Sequence, residues 1–147
     1  MKKTKSKLLF LLITVCLAIC VSLTGCLSTA DYEEMYNDDS QIAHSSSNVR
    51  VGSVETSGKG TYKLSCTSLS GVYIALNSFT VNESTSANLS FELSGGKGKV
   101  VLVHGDSVYT LTEESYDGAI DFENIPDGKY KLKIVGVEAE FKLTFSY

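Results

Sequence analysis

Hydrophobic and polar residues alternate with a period of two through the second half of this chain, from Gly60 to Tyr147. Successive side chains of a β-strand point to opposite faces, so each alternating run predicts a strand with one buried face. No stretch of about 12 residues in this region shows the helical period. The runs predict eight strands, centred on residues 62–66, 72–76, 89–93, 100–103, 108–111, 120–122, 130–134 and 139–147.

Turn residues separate the predicted strands. Gly105 and Asp106 stand between two runs and predict a two-residue hairpin loop. Pro126-Asp127-Gly128 combines a fixed φ with a terminal glycine and predicts a second turn. Residues 136–138 are expected to join the last two strands.

Two irregularities refine this pattern. Residues 100–103 are apolar on both faces, which predicts a central strand covered on both sides. Phe79 and Val81 break phase with the run before them, which predicts a bulge or a bend. The whole pattern predicts an all-β fold, an antiparallel β-sandwich of about seven to eight strands over residues 60–147.

The last turn and the strand after it carry a short motif, Asp127-Gly128-Lys129-Tyr130-Lys131-Leu132. This motif resembles the start of a late strand in immunoglobulin-like and fibronectin-like sandwich domains of exported bacterial proteins. The resemblance implies that Tyr130 forms a tyrosine corner, with its hydroxyl bonded to nearby backbone. It supports the architecture and implies no particular activity.

Residues 26–59 have a different composition, with acidic and serine clusters and few apolar side chains. Such segments bury too little surface to offset the entropy of ordering, so the sequence predicts a flexible tether with an r.m.s. reach of roughly 30 Å. A one- or two-turn helix through Met35 is the exception that the capping residues Thr29 and Asp31 allow. A short binding motif formed by Tyr32, Met35 and Tyr36 is an alternative.

The first 25 residues have the organisation of an export signal. Four lysines precede an uncharged, Leu/Ile/Val-rich stretch from Leu8 to Leu23, which is 16 residues long. This is shorter than the roughly 20 residues that span a bilayer. The alternative is an uncleaved membrane helix, because the uncharged run continues to Ala30.

Leu23-Thr24-Gly25-Cys26 follows the apolar stretch and resembles the lipobox of bacterial lipoproteins. The resemblance implies cleavage between Gly25 and Cys26, a diacylglyceryl group on the Cys26 thiol, and a lipid-anchored protein on the extracytoplasmic face of a bacterial cell membrane. Cys16 and Cys20 each follow a bulky β-branched residue and do not fit this pattern. Two acyl chains on one residue suffice for stable attachment.

Cleavage would remove 25 of 147 residues and four of 13 basic side chains, which leaves nine basic and 17 acidic residues and a net charge of −8. An acidic surface argues against nucleic acid as a partner. Cys66 would be the only cysteine with a free thiol, so no disulfide within the chain is expected. Its alternation with Tyr62 and Leu64 predicts that it is buried.

Side chains suited to catalysis or metal binding are few. His104, Asp106 and Ser107 have the residue types of a hydrolase triad, but one tight turn does not let them align, and His44 lies in the predicted tether. We therefore predict no enzyme activity, no cofactor and no metal. Asp117, Asp121, Glu123 and Asp127 are interpreted as a solvated acidic face, with calcium as the alternative.

Tyr73, Tyr109 and Tyr116 are candidate binding residues, because exposed tyrosines stack on sugars or anchor protein partners. The sequence thus predicts a membrane-anchored lipoprotein with a non-catalytic binding or structural module. Its expected partners are the membrane, through the lipid on Cys26, and an extracellular protein or a cell-wall glycan. Two alternatives stay open: a carbohydrate- or cell-wall-binding accessory module, and a small inhibitor or immunity-type lipoprotein.

Overall fold

The structure is a computed structural model that describes residues 28–147. The predicted signal segment, the lipobox and Cys16, Cys20 and Cys26 lie outside the described residues. The described part contains two helices and seven strands, which are α1 (Thr29–Asn37), α2 (Asp39–His44), β1 (Asn48–Val51), β2 (Val54–Gly58), β3 (Thr61–Val81), β4 (Asn88–His104), β5 (Ser107–Thr112), β6 (Tyr116–Ala119) and β7 (Gly128–Ser146).

All strand pairs are antiparallel and belong to one sheet with the order β1-β3-β7-β4-β5. Strand β2 pairs with β3 beside β1, and β6 pairs with β4 beside β5. The sheet is therefore built on three long strands, with β7 between β3 and β4. The free edge of β3 carries β1 and β2, and the free edge of β4 carries β5 and β6. This arrangement confirms the predicted all-β, antiparallel fold.

The sheet folds back on itself to make a sandwich. Phe79 pairs with Tyr130 near one end of β3, and Phe145 pairs with Tyr62 near the other end. The rings of Phe79 and Phe145 nevertheless lie 5.2 Å apart in edge-to-face contact. The two halves of the long strands therefore face each other, and the main hydrophobic core fills the space between them.

All three long strands bend at neighbouring positions in the sheet, and these bends fold the sheet back on itself. Their pairing shifts register between Cys66 and Gly71 in β3, and the facing parts of β4 and β7 are irregular too. Gly71 has φ of +105°, and a Cβ there would overlap the carbonyl oxygen of Ser47. Glycine at this position allows the sharp bend that a side chain would block.

The sequence predicted eight short strands, whereas residues 28–147 form seven, three of which are long. The bulges explain this difference. Strands β3, β4 and β7 contain 21, 17 and 19 residues, because pairing continues through each bend. Residues 136–138 form a bulge inside β7, with Glu138 at φ of 53°, and not the predicted connection. The predicted strand at 120–122 lies in a loop.

Other local predictions are confirmed. His104 ends β4 and Ser107 begins β5, so Gly105 and Asp106 form the two-residue hairpin loop. Residues 100–103 are buried on both faces, with alternate side chains in two separate hydrophobic clusters. The hydroxyl of Tyr130 donates to the carbonyl of Pro126 at 2.6 Å, which is the bond that the resemblance implied.

The structure corrects the prediction of a flexible tether over residues 26–59, because residues 29–58 form α1, α2, β1 and β2. Ser28 and Asp31 form a capping box at the start of α1, and the Asp38 side chain caps α2. The helices cover the outer face of one half of the folded sheet, on the side away from the main hydrophobic core. The side chains that meet there are Tyr32, Met35, Tyr36, Ile42 and Ala43 from the helices and Val72, Val101, Val103, Val135 and Val137 from the sheet.

Polar contacts fasten the helices to the sheet. Lys133 of β7 is almost fully buried, and its ammonium group donates to the carbonyls of Ile42, Ala43 and Ser45 at 2.7, 2.8 and 2.9 Å. These acceptors lie at the C-terminal end of α2, where a cation is favoured. Burial, with a smaller effect of Lys131, lowers the pKa of Lys133 to about 8. Within residues 28–147, neither helix is long and apolar enough to span a membrane.

Three of the chain's eight tyrosines are expected to resist ionisation. Burial raises the pKa of Tyr36 to about 12, and burial is also the main cause of the raised pKa of Tyr62 and Tyr130. The unfolded chain loses these protons near pH 10, so the folded state binds more protons above that pH and stability falls as pH rises. Titration of tyrosinate absorbance should show that Tyr36, Tyr62 and Tyr130 ionise only as the protein unfolds. Ionisation of these three residues near pH 10 with an unchanged circular dichroism spectrum would contradict this.

Candidate functional site

Two of the three candidate tyrosines line one cavity. Tyr109 of β5 and Tyr116 of β6 are brought together because both strands pair with the same edge of β4. The cavity has a volume of about 330 Å³, within the range of small-molecule sites. Its remaining lining residues are Leu89, Thr110, Leu111, Ile120, Asp121, Asn124 and Ile125.

The walls of this tyrosine cavity are held in place by the chain around it. The hydroxyl of Tyr116 donates to the carbonyl of Ala119 at 2.6 Å. The ring of Tyr109 packs edge-to-face on Tyr130, with ring centroids 5.7 Å apart. The backbone N–H of Ile120 donates to the carbonyl of Ala87 at 2.9 Å and anchors the start of the 120–127 loop. Both aromatic rings are therefore positioned before any ligand binds.

The tyrosine cavity combines an apolar floor with a polar rim. Leu89 is buried, and Ile120 and Ile125 are half-buried. Asp121 and Asn124 are exposed, and one carboxylate oxygen of Asp121 accepts the Glu123 backbone N–H at 2.8 Å. This arrangement suits a small ligand that has an apolar face and hydroxyl or amine groups along its edge.

A second cavity, of about 410 Å³, is also lined by the 120–127 loop and shares Ile120, Asp121 and Ile125 with the first. Three of the four acidic residues predicted to cluster, Asp121, Glu123 and Asp127, line it. Asp117 instead lies on β6. Within residues 28–147, no three histidine, cysteine or acidic side chains are grouped as a metal site requires.

Tyr73, the third candidate tyrosine, lies apart from the tyrosine cavity. The guanidinium carbon of Arg50 lies 3.9 Å from the centre of its ring. Its hydroxyl donates to Glu55 at 2.6 Å and accepts from the Tyr62 hydroxyl at 3.4 Å. Both its ring and its hydroxyl are thus engaged in contacts within the protein.

The residues that resemble a hydrolase triad are placed in other contacts. Nε2 of His44 lies 3.2 Å from the carboxylate of Asp106, and Nδ1 of His104 lies 2.8 Å from the carbonyl oxygen of Lys129. Within residues 28–147, no hydrogen bond joins either histidine to Ser107. The contact of His44 with Asp106 was missed by sequence reasoning, because it depends on the docking of α2.

Cys66 is buried, as its phase predicted. Its Sγ donates to the carbonyl of Ser68 at 3.1 Å. Asn124 and Ile125 are the cavity residues that sequence reasoning missed. They stand between the predicted strand at 120–122 and the predicted turn at 126–128, and only the loop's return beside β5 makes them part of the site.

Comparison with protein-family models, with curated proteins and with solved structures finds no match to this chain. Its function is therefore inferred from the residues and contacts described above.

Proposed function

We propose that this protein is a lipid-anchored, extracytoplasmic and non-catalytic binding protein whose ligand occupies the tyrosine cavity. The observation that carries the proposal is the convergence of Tyr109 and Tyr116 on one cavity, together with Asp121 and Asn124. Aromatic faces beside a few exposed oxygen and nitrogen groups are the usual composition of a small-molecule site.

The proposed ligand is a neutral or amine-bearing carbohydrate, such as a unit of a cell-wall glycan. The flat, apolar faces of sugar rings suit the two tyrosine rings, and their hydroxyl groups suit Asp121 and Asn124. Residues 28–147 carry nine basic and 17 acidic side chains, and this excess of negative charge disfavours an anionic ligand.

The proposed anchor is the lipid on Cys26, supported by the lipobox-like sequence. The described fold begins at the cap residue Ser28, two residues after Cys26. Since α1 and α2 pack against the sheet, the lipid would hold the sandwich close to the membrane and not at the end of a long tether. Such a protein would sample glycans next to the bilayer.

The binding proposal is tested with Tyr116→Ala and Tyr109→Ala in protein extracted from membranes. Each variant should bind insoluble cell-wall polysaccharide about tenfold more weakly than wild type, because loss of one anchoring aromatic residue costs about 1.4 kcal/mol. Tyr147→Ala is the matched control, since Tyr147 is also exposed but lies outside the tyrosine cavity.

Sedimentation of the protein with the polysaccharide gives the bound fraction at each concentration. Equal binding by the two cavity variants and the Tyr147→Ala control would exclude the tyrosine cavity as the binding site. Absence of binding by wild type would exclude the proposed ligand class.

A further inference from the structure

The edge formed by β1 and β2 has an unusual surface. Among residues 28–147, five large hydrophobic side chains are exposed, and three of them lie on this edge: Val49, Val51 and Val54, which are 58%, 57% and 67% exposed. Together with the backbone of residues 48–58 they form what we call the valine edge. Both of its strands pair only with β3, so their other sides carry unpaired backbone groups.

The three valines lie on one face of the sheet. Cross-strand partners point to the same side, and Val49, Val51 and Val54 pair with Ser70, Ser68 and Ser65. Arg50 and Glu55, which are next to these valines in sequence, pair with the core residues Leu69 and Leu64. Their side chains therefore point to the opposite face of the sheet. The valine side chains therefore form one apolar row beside an open strand edge.

The charges of the valine edge are internally balanced. Arg50 and Glu55 are its only charged residues; Nη1 of Arg50 lies 3.9 Å from a carboxylate oxygen of Glu55, and both side chains contact Tyr73. The rest of the described chain has eight basic and 16 acidic residues. A second copy of this acidic protein would therefore meet least repulsion at the valine edge.

The opposite edge of the sheet is protected. Glu113, Glu114 and Asp117 lie in or next to β5 and β6. Charged residues on an edge strand oppose pairing with another chain. The valine edge has no lysine and no proline to block such pairing, so the two edges of this sheet differ in their capacity to associate.

We infer that the valine edge is the surface through which two copies of this chain associate, by antiparallel pairing of β1 with β1 of the second copy. A two-fold axis beside Val49 or Val51 places valine opposite valine and keeps the two Arg50 side chains from facing each other. The pairing extends the sheet across both copies and brings valine side chains of the two β1 strands into contact. This interface is independent of the tyrosine cavity.

The mass of the full protein in detergent, measured by light scattering with the detergent contribution subtracted, tests this inference. Wild type is expected to be a dimer. Val51→Lys should halve the mass of the protein, because it places a charge within the paired segment. Val49→Lys is a second variant with the same expected effect. Circular dichroism checks that both remain folded, as expected for changes at exposed positions.

Ser90→Lys is the matched control, since it adds the same charge at an exposed position of β4, a strand that is paired on both sides. It should remain a dimer. A monomeric wild type, an unchanged mass for both valine variants, or an equal loss of mass in Ser90→Lys would each overturn the inference.

Discussion

Replacing Lys133 with methionine is expected to destabilise the protein by about 2–4 kcal/mol and to release α1 and α2 from the sheet. Methionine nearly matches the length of the lysine side chain but donates no hydrogen bond. The carbonyls of Ile42, Ala43 and Ser45 would lose their described partner at the end of α2. Urea denaturation gives the change in free energy of unfolding, and amide exchange over residues 29–44 reports on the helices.

Lys131→Met is the matched control. Lys131 is two residues away on the same strand and is exposed. Its replacement is expected to change the free energy of unfolding by no more than about 0.5 kcal/mol. If Lys133→Met were as stable as Lys131→Met, with unchanged exchange in α1 and α2, the buried ammonium group would not be what fastens the helices.

Replacing Gly71 with alanine is expected to cost about 3 kcal/mol or more, because two penalties coincide. A residue with a side chain is strained at the φ of +105° that Gly71 adopts. Its Cβ would also overlap the carbonyl oxygen of Ser47, which accepts the backbone N–H of Val72 at 2.9 Å. Relief requires either that the bend in β3 opens or that the start of β1 moves away. Thermal and urea denaturation measure the loss.

Gly58→Ala provides the comparison for that variant. A Cβ at Gly58 would meet no atom within 4 Å, and its backbone is outside the strained region. This change should be neutral or slightly stabilising, since alanine lowers the entropy of the unfolded chain. Similar stability of the two alanine variants would show that the bend at Gly71 does not depend on glycine.

Much of the three long strands follows from the sequence, and so does the irregularity before Phe79, where the pairing of β3 shifts register. The bend at Gly71 does not. Strict alternation through Tyr130, Leu132 and Ile134 was sufficient to predict that part of β7. The conformation of Gly71 depends on Ser47, which is distant in sequence and approaches only in the folded chain. The pattern therefore predicted interruptions where the long strands in fact continue through bulges.

The sequence allowed a short helix through Met35, which α1 contains, but α2 and the packing of both helices on the sheet were missed for a related reason. They contain nine and six residues, too few for stable isolated helices, and their composition is polar and acidic. Their stability comes from packing against Val101, Val103 and Val135, which lie far along the chain. The apolar character of both faces of residues 100–103 indicated that some element covers the sheet, but not which one.

The tyrosine cavity was predicted in part. Tyr109 and Tyr116 were identified by residue type, while Tyr73 has the same type but is held by Arg50 and Glu55. Asn124 joins the two tyrosines only because the 120–127 loop returns beside β5. Such a contact depends on tertiary structure and leaves no periodic signal in the sequence.

The intact mass of the protein recovered from bacterial membranes tests the proposed anchor most directly. The lipoprotein proposal predicts a chain that begins at Cys26 and carries a diacylglyceryl group. Cys26→Ser should remain uncleaved and without lipid, whereas Cys20→Ser should be processed like wild type. A wild-type mass that corresponds to the complete chain from Met1 without lipid, or identical processing of wild type and Cys26→Ser, would contradict the proposal.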